Sequence, residues 1–184
     1  MQEVSRVHSI PVKTGRRDEP SKLDPNYIVG FVDGEGCFCV SISKSKTAKR
    51  RIEVRPEFEI ELRADDLPIL ERIQHTLGCG RIYHLNYERY GWSPHVKYKV
   101  SSNKELKDKI VPFFEEHPLQ AVKAKNFKIF AKVVIMVSKK QHLDYGGFEK
   151  ILKLRDKMRQ TNKKAKKLGT ARIRENRSSS GVRI

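Results

Sequence analysis

The sequence predicts an α+β protein built on an antiparallel sheet. Three observations lead there. Apolar and polar residues alternate over residues 37–43, 52–62 and 96–100, which is the period of half-buried strands. Apolar residues recur at helical spacing over residues 67–77 and 127–137. A short helix with apolar residues on all sides precedes the first strand. The order is a helix and two strands, repeated, and then further helices. A chain of 184 residues is long enough for one such domain with a real core.

Residues 1–23 are polar and carry Pro11, Gly15, Arg16 and Arg17, and read as a mostly disordered arm. The first helix starts at Asp24, an N-cap, with Pro25 at the first helical position. Ile28, Val29, Phe31 and Val32 point in every direction around it, so it must be covered on all sides. Gly30 and Gly34 lie one turn apart on one face, where a second backbone can come close at the cost of helix propensity. Gly36 suits a left-handed cap. Glu35 falls at the negative end of the helix dipole, with Asp33 two residues before it. A cation would relieve that conflict, and oxygen ligands suit Mg²⁺. Two readings stand: a helix that packs against a twin and delivers an acid to a metal, or a core helix followed by an acidic turn.

Next comes a strand with Phe38, Val40 and Ile42 inward and Cys37, Cys39, Ser41 and Ser43 outward. Cys37-x-Cys39 reads as two small strand residues, because no second Cys or His pair stands at metal-site spacing. Lys44, Lys46, Lys49, Arg50 and Arg51 form a basic turn. In the next strand Ile52, Val54, Phe58, Ile60 and Leu62 oppose Glu53, Arg55, Glu57, Glu59 and Glu61. This glutamate row has a mixed reading, with some members accepting from cytosine in a major groove and others solvated or paired with Arg and Lys on neighbouring strands. Asp65 or Asp66 caps a helix striped by Leu67, Leu70, Ile73 and Leu77 and ended by Gly78. In the second strand pair Ile82 faces the core, and Arg81 and Tyr83 face out. A turn follows over residues 87–94, and Val96, Tyr98 and Val100 then alternate with Lys97 and Lys99. Two hairpins with one basic, polar face each make a saddle for duplex DNA. Ser102-x-x-Glu105 starts another helix as a capping box, and Pro112 breaks it. A long helix carries Phe127, Phe130, Val133, Val134 and Val137. A last one carries Phe148, Ile151, Leu152, Arg155 and Met158 after the break at Gly146-Gly147. Residues 161–184 read as a basic tail.

Lys and Arg number 39 against 22 Asp and Glu, a formal net charge of +17 that favours a polyanion, nucleic acid before anionic membrane. No apolar run is long enough to cross a membrane, and the N-terminus has no apolar segment of the secretory kind. The three cysteines make no disulfide framework and fit a reducing compartment, a bacterial cytoplasm or an organelle.

Residues 24–36, Asp-Pro-Asn-Tyr-Ile-Val-Gly-Phe-Val-Asp-Gly-Glu-Gly, closely resemble the namesake motif of LAGLIDADG homing endonucleases. The likeness continues through Pro56-Glu57-Phe58-Glu59-Ile60, Leu77-Gly78-Cys79-Gly80-Arg81-Ile82, Val111-Pro112-Phe113-Phe114, His117-Pro118-Leu119, Lys123, Lys140-Gln141-His142-Leu143 and Gly147-Phe148-Glu149-Lys150-Ile151. The resemblance covers roughly residues 24–160, which is the expected domain. It implies an αββαββα core with an antiparallel, saddle-shaped sheet for double-stranded DNA. It also implies Mg²⁺-dependent double-strand cleavage at a long, near-palindromic site, leaving 3′ overhangs. One motif copy in a chain this short requires the twin helix to come from a second chain, with Tyr27, Gly30, Phe31 and Gly34 at the interface. By the same resemblance Glu35 is the metal ligand and the Gly34 carbonyl a second, while Asp33 holds the helix end and interface or joins the metal. Lys123, or Lys125, is the lysine near the cleft. The candidates for DNA contact are Ser41, Ser43, Lys44, Lys46, Arg50, Arg51, Arg55, Glu59, Arg81, Tyr83, Lys97 and Lys99. Where some members carry a water-orienting glutamine this chain has Glu61-Leu62, so that group is not identified. A maturase acting on intron RNA and a non-catalytic DNA-binding regulator are the alternatives on the same scaffold. A chain starting at Met suggests an intron context rather than an intein.

Overall fold

The computed structural model describes residues 20–44, 52–86, 91 and 93–160. Helix α1 (Pro25–Glu35) leads into strands β1 (Gly36–Lys44) and β2 (Ile52–Arg63). Helix α2 (Leu67–Leu77) leads into β3 (Arg81–Leu85) and β4 (His95–Val100). Short helices α3 (Asn103–Glu105) and α4 (Val111–Glu116), the long α5 (Lys123–Ser138) and α6 over residues 145–160 follow. The four strands form one open antiparallel sheet in the order β1-β2-β4-β3, so the two hairpins join through β2 and β4. This is the expected α+β, αββαββα order.

The period-two pattern sets which face is dry. Phe38 pairs with Phe58 across β1 and β2, and Ile60 with Tyr98 across β2 and β4, so the apolar residues share one face. Helices cover that face. Phe38 is the hub: its ring stacks on Phe58 at 5.0 Å and meets Phe114 of α4 edge-on at 5.7 Å. Phe127 and Phe130 of α5 lie at 5.3 and 5.1 Å from it. Ile28 and Val32 of α1 and Leu70 and Ile73 of α2 complete the core. Tyr98 is fully buried and satisfies its hydroxyl by donating to the Cys79 carbonyl at 2.9 Å.

Several local expectations are corrected. Gly36 is not left-handed; at φ −70° and ψ 151° it passes straight into β1. Space, not conformation, requires glycine there: a Cβ would lie 2.6 Å from Val32 Cγ1 and 2.9 Å from the Val32 carbonyl. Among the described residues one side of helix α1 is left open, the side expected to meet a twin helix. Ile28, Val29 and Val32 are buried, but Tyr27 is 49% exposed, Gly30 and Gly34 are exposed, and Phe31 is half-buried. Asp66 stands at the N-cap of α2 without a side-chain capping bond, and Asp65 pairs with Arg63 instead. Ser102 does cap, accepting from the Glu105 amide at 3.4 Å.

Pro112 does not break its helix. Residues Leu106–Ile110 form a wide π turn in which the Val111 amide reaches the Leu106 carbonyl, five residues back. The wider turn makes room for a residue without an N–H, and winding continues into α4. Gly146-Gly147 lies within the first turn of α6 rather than before it. The Asp144 carboxylate accepts the Gly147 amide at 2.6 Å, and a Cβ on Gly147 would run into the Gln141 carbonyl. The arm expected over residues 1–23 ends earlier than that, because Leu23 is buried and its amide donates to Thr76 Oγ1 at 2.9 Å. The rest of that arm, the basic turn from Lys46 to Arg51, most of the 87–94 turn and the basic tail lie outside the described residues.

Phe38→Ala should cost about 3–5 kcal/mol of stability, the usual range for emptying a large buried aromatic site. Urea unfolding followed by circular dichroism would show it as a lower midpoint at unchanged slope.

Candidate active site

The end of α1 is tied to the start of α5. Asp33 Oδ2 accepts the backbone amides of Gln120 at 2.8 Å and Ala121 at 3.2 Å, just ahead of α5. Lys123, the first residue of α5, sends its ammonium back to the carbonyls of Val32 at 2.8 Å and Gly34 at 3.1 Å. A cation thus sits on the negative end of the α1 dipole, where the last carbonyls lack helical partners. Asp33 and Lys123 thus hold the last turn of α1, and the Glu35 charge is near enough to act on the Lys123 ammonium. Lys125 does not reach that turn, since its side chain is exposed one step further round α5.

The electrostatics are mixed. Burial pushes the Lys123 ammonium below the ordinary lysine range, and the charges of Cys37, Asp33 and Glu35 only partly restore it. Asp33 Oδ1 is buried without a hydrogen-bond partner among the described residues, so this carboxylate is only half satisfied there. Glu35 is exposed and makes no salt bridge among the described residues. Cys37, two residues on, is pulled down to about 7 by its hydrogen bond with Cys39, against desolvation and with help from Lys123.

The donor set at the foot of α1 is made of hard oxygens: the Glu35 carboxylate and the Gly34 carbonyl. That chemistry fits Mg²⁺ completing its shell with waters and phosphate oxygens. Glu35 is exposed on the last residue of the helix, and the Gly34 carbonyl, which accepts from Lys123 at 3.1 Å, keeps a second lone pair. The open side of α1 lies next to this corner. Tyr27 and Phe31 stack there at 6.1 Å, and among the described residues a Cβ on Gly30 or Gly34 would meet nothing within 4 Å. A second backbone has access to that stripe.

The outward face of the sheet differs from a simple basic surface. Lys97 lies 2.9 Å from Glu61 and 3.4 Å from Glu59, and Lys99 lies 2.7 Å from Glu57 and 3.2 Å from Glu59. Burial works to lower both lysines, but hydrogen bonds and charges from the glutamates outweigh it and raise them. Arg55 pairs with Glu53 at 2.6 Å. Ser41, Ser43, Arg81 and Tyr83 are exposed, and Ser41 donates to the Arg55 carbonyl. Lys44 ends β1; Lys46, Arg50 and Arg51 are beyond the described residues. Sequence reasoning missed the amides of Gln120 and Ala121 and the Val32 carbonyl, which no motif marks. It also left the glutamate row undecided, and the strand register would have resolved it.

Residues 28–134 match the model of the LAGLIDADG endonuclease family. A protein named as probable intron-encoded endonuclease 3 of Neurospora crassa is 29% identical over 137 residues, covering 74% of this chain and 25% of that relative. The chain spans only about a quarter to a third of the first such relatives. Among solved structures, the homing endonuclease I-TnaI is 32% identical with a TM-score of 0.67, covering 78% of this chain and 99% of that one. The meganuclease I-SmaMI, bound to uncleaved DNA in the presence of calcium, is 32% identical with a TM-score of 0.67, covering 73% of this chain and 44% of that one.

Lys123→Met keeps the stem and removes the cation from two carbonyls. It should cost about 1 kcal/mol, the net worth of such a bond when partly exposed. Hydrogen exchange would locate the loss: faster opening should be confined to the last turn of α1.

Proposed function

The chain belongs to the LAGLIDADG endonuclease family, and we propose that it is a homing endonuclease that cuts both strands of a long, near-palindromic DNA site as a homodimer. The observation that carries this reading is the exposed carboxylate of Glu35 at the foot of a helix whose neighbouring face is bare at Gly30 and Gly34. Packing two such stripes together would bring two Glu35 carboxylates to one centre. Each would serve one strand of a duplex lying across the outward faces of two sheets. The formal charge of +17 supplies the long-range attraction to that polyanion.

Glu35 and the Gly34 carbonyl would hold Mg²⁺. Bound there, the ion would lower the pKa of a water and offset charge on the phosphate oxygens. The chain's own groups do the rest. Asp33 fixes the last turn of α1 against the amides before α5, so the Glu35 backbone is held in place. Lys123 sets a cation at the same corner, positioned to balance the charge that builds on the phosphate. Outward side chains of β1 to β4 would choose the bases. Retention of the exposed acid favours a nuclease over a regulator that only binds.

Two measurements test this. Glu35→Gln should bind the target duplex as the parent does yet leave it uncut with Mg²⁺, the same result EDTA gives for the parent. Undiminished cutting would move the metal elsewhere. Gly30→Leu, which puts an isobutyl group into the bare stripe, should turn a dimer into a monomer by light scattering. A variant that stays dimeric overturns the helix-pair interface.

A further inference from the structure

The chain carries a formal charge of +17, yet the outward face of its sheet shows no positive excess. On β2 that face holds Glu53, Arg55, Glu57, Glu59 and Glu61, because Val54, Phe58 and Ile60 between them are buried. On β4 it holds Lys97 and Lys99, and on β3 Arg81, which stands opposite Lys99. The outward residues of β1 are cysteines and serines. Among the described residues four acids therefore meet four bases on the strands, and Arg63 at the margin is paired with Asp65.

The centre of the face is a lattice of three acids and two bases. Lys97 lies between Glu59 and Glu61, and Lys99 between Glu57 and Glu59. These five side chains are only 15% to 34% exposed, so a charge pulled from its partner there is poorly compensated by water. We propose that Glu57, Glu59 and Glu61 are specificity-determining residues, which withhold Lys97 and Lys99 from the phosphates of DNA and release them to base edges.

This assignment rests on the sheet being the DNA-binding face, as proposed above. The physical reason is that a phosphate offers acceptors alone. It can draw a lysine out of the lattice, but it then faces the carboxylates left behind, and like charges repel. A base edge in the major groove offers both kinds of group. Guanine O6 and N7 accept from an ammonium, while cytosine N4 and adenine N6 donate to a carboxylate. Opening the lattice therefore costs least where the bases pair both halves at once, and a wrong base leaves one half alone. The spacing suits such a reading. Outward residues two apart on a strand lie about 6.4–6.8 Å from each other, roughly the rise of two base pairs.

The test measures binding of the full chain with EDTA present, so that cutting plays no part. The probe is a fluorescein-labelled duplex of random sequence, followed by anisotropy at rising salt. Glu57→Gln/Glu59→Gln/Glu61→Gln should steepen the slope of log affinity against log salt by about 2, because each of two freed lysines adds a phosphate contact worth about 0.9. Its preference for the sequence that the parent selects from a randomised pool, over random duplex, should fall by about tenfold or more. Adding Lys97→Met/Lys99→Met to that variant should return the slope to the parent's, which a merely structural role of the glutamates would not predict. Glu71→Gln/Glu115→Gln/Glu116→Gln removes the same charge from exposed positions on the helices behind the sheet, and should leave the slope unchanged. An unchanged slope in the lattice variant, or equal steepening in the helix variant, overturns the proposal and leaves DNA binding intact. A parent that binds no duplex, or prefers no sequence, overturns the site-specific reading as well. If the triple lattice variant does not fold, Glu57→Gln/Glu61→Gln decides the question, with a steepening of about 1 expected.

Discussion

The clasp between the end of α1 and the start of α5 is the constraint on which the rest depends. It uses one acid and one base in opposite directions: Asp33 takes two amides from the far segment, and Lys123 gives protons to two carbonyls of the near one. The ends it joins are 87 to 91 residues apart in the chain. The position of Glu35 thus rests on a contact between distant parts of the chain. The sheet and its aromatic hub around Phe38 are what hold the two ends at that separation. The clasp also leaves a carboxylate oxygen buried without a partner among the described residues, and burial holds the ammonium below its ordinary range. Such conflicts gather where function is kept at the expense of stability.

The outward face of the sheet answers a second constraint. A chain with a large positive excess would be expected to line a DNA-facing surface with bare lysines. Here the β2 glutamates neutralise the β4 lysines in an alternating lattice. On the proposed reading, phosphate or base contact at Lys97 and Lys99 would exchange one anion for another, which would favour selectivity over raw affinity. The same lattice brings carboxylates beside the two outward cysteines.

Much was legible along the chain. The strands, the α2 stripe and its left-handed Gly78, the Ser102 cap and the long α5 follow local rules, and local rules depend only on neighbours in sequence. The misreadings share a cause as well. Gly36, Pro112 and Gly146-Gly147 each have a common role that assumes a simple helix end. In the molecule a strand begins at once, a π turn absorbs the proline, and a carbonyl from the preceding turn crowds the glycine. Residue type shows that a position is special; only the packed neighbours show why.

The sequence by itself determined the fold class, the motif helix and its acid, and the family likeness, because periodicity, capping and motif order are written in consecutive residues. Only the tertiary structure decided that Lys123 and not Lys125 reaches the foot of α1, and that Asp33 grips the amides before α5. It also chose, between the two readings of the glutamate row, pairing with the lysines of the neighbouring strand β4, and showed one side of α1 left open by the described residues. These depend on register and on contacts across dozens of residues. A shift of two residues along α5 would exchange the two lysines and a shift of one along β2 would turn the glutamates inward, and no local pattern encodes that choice.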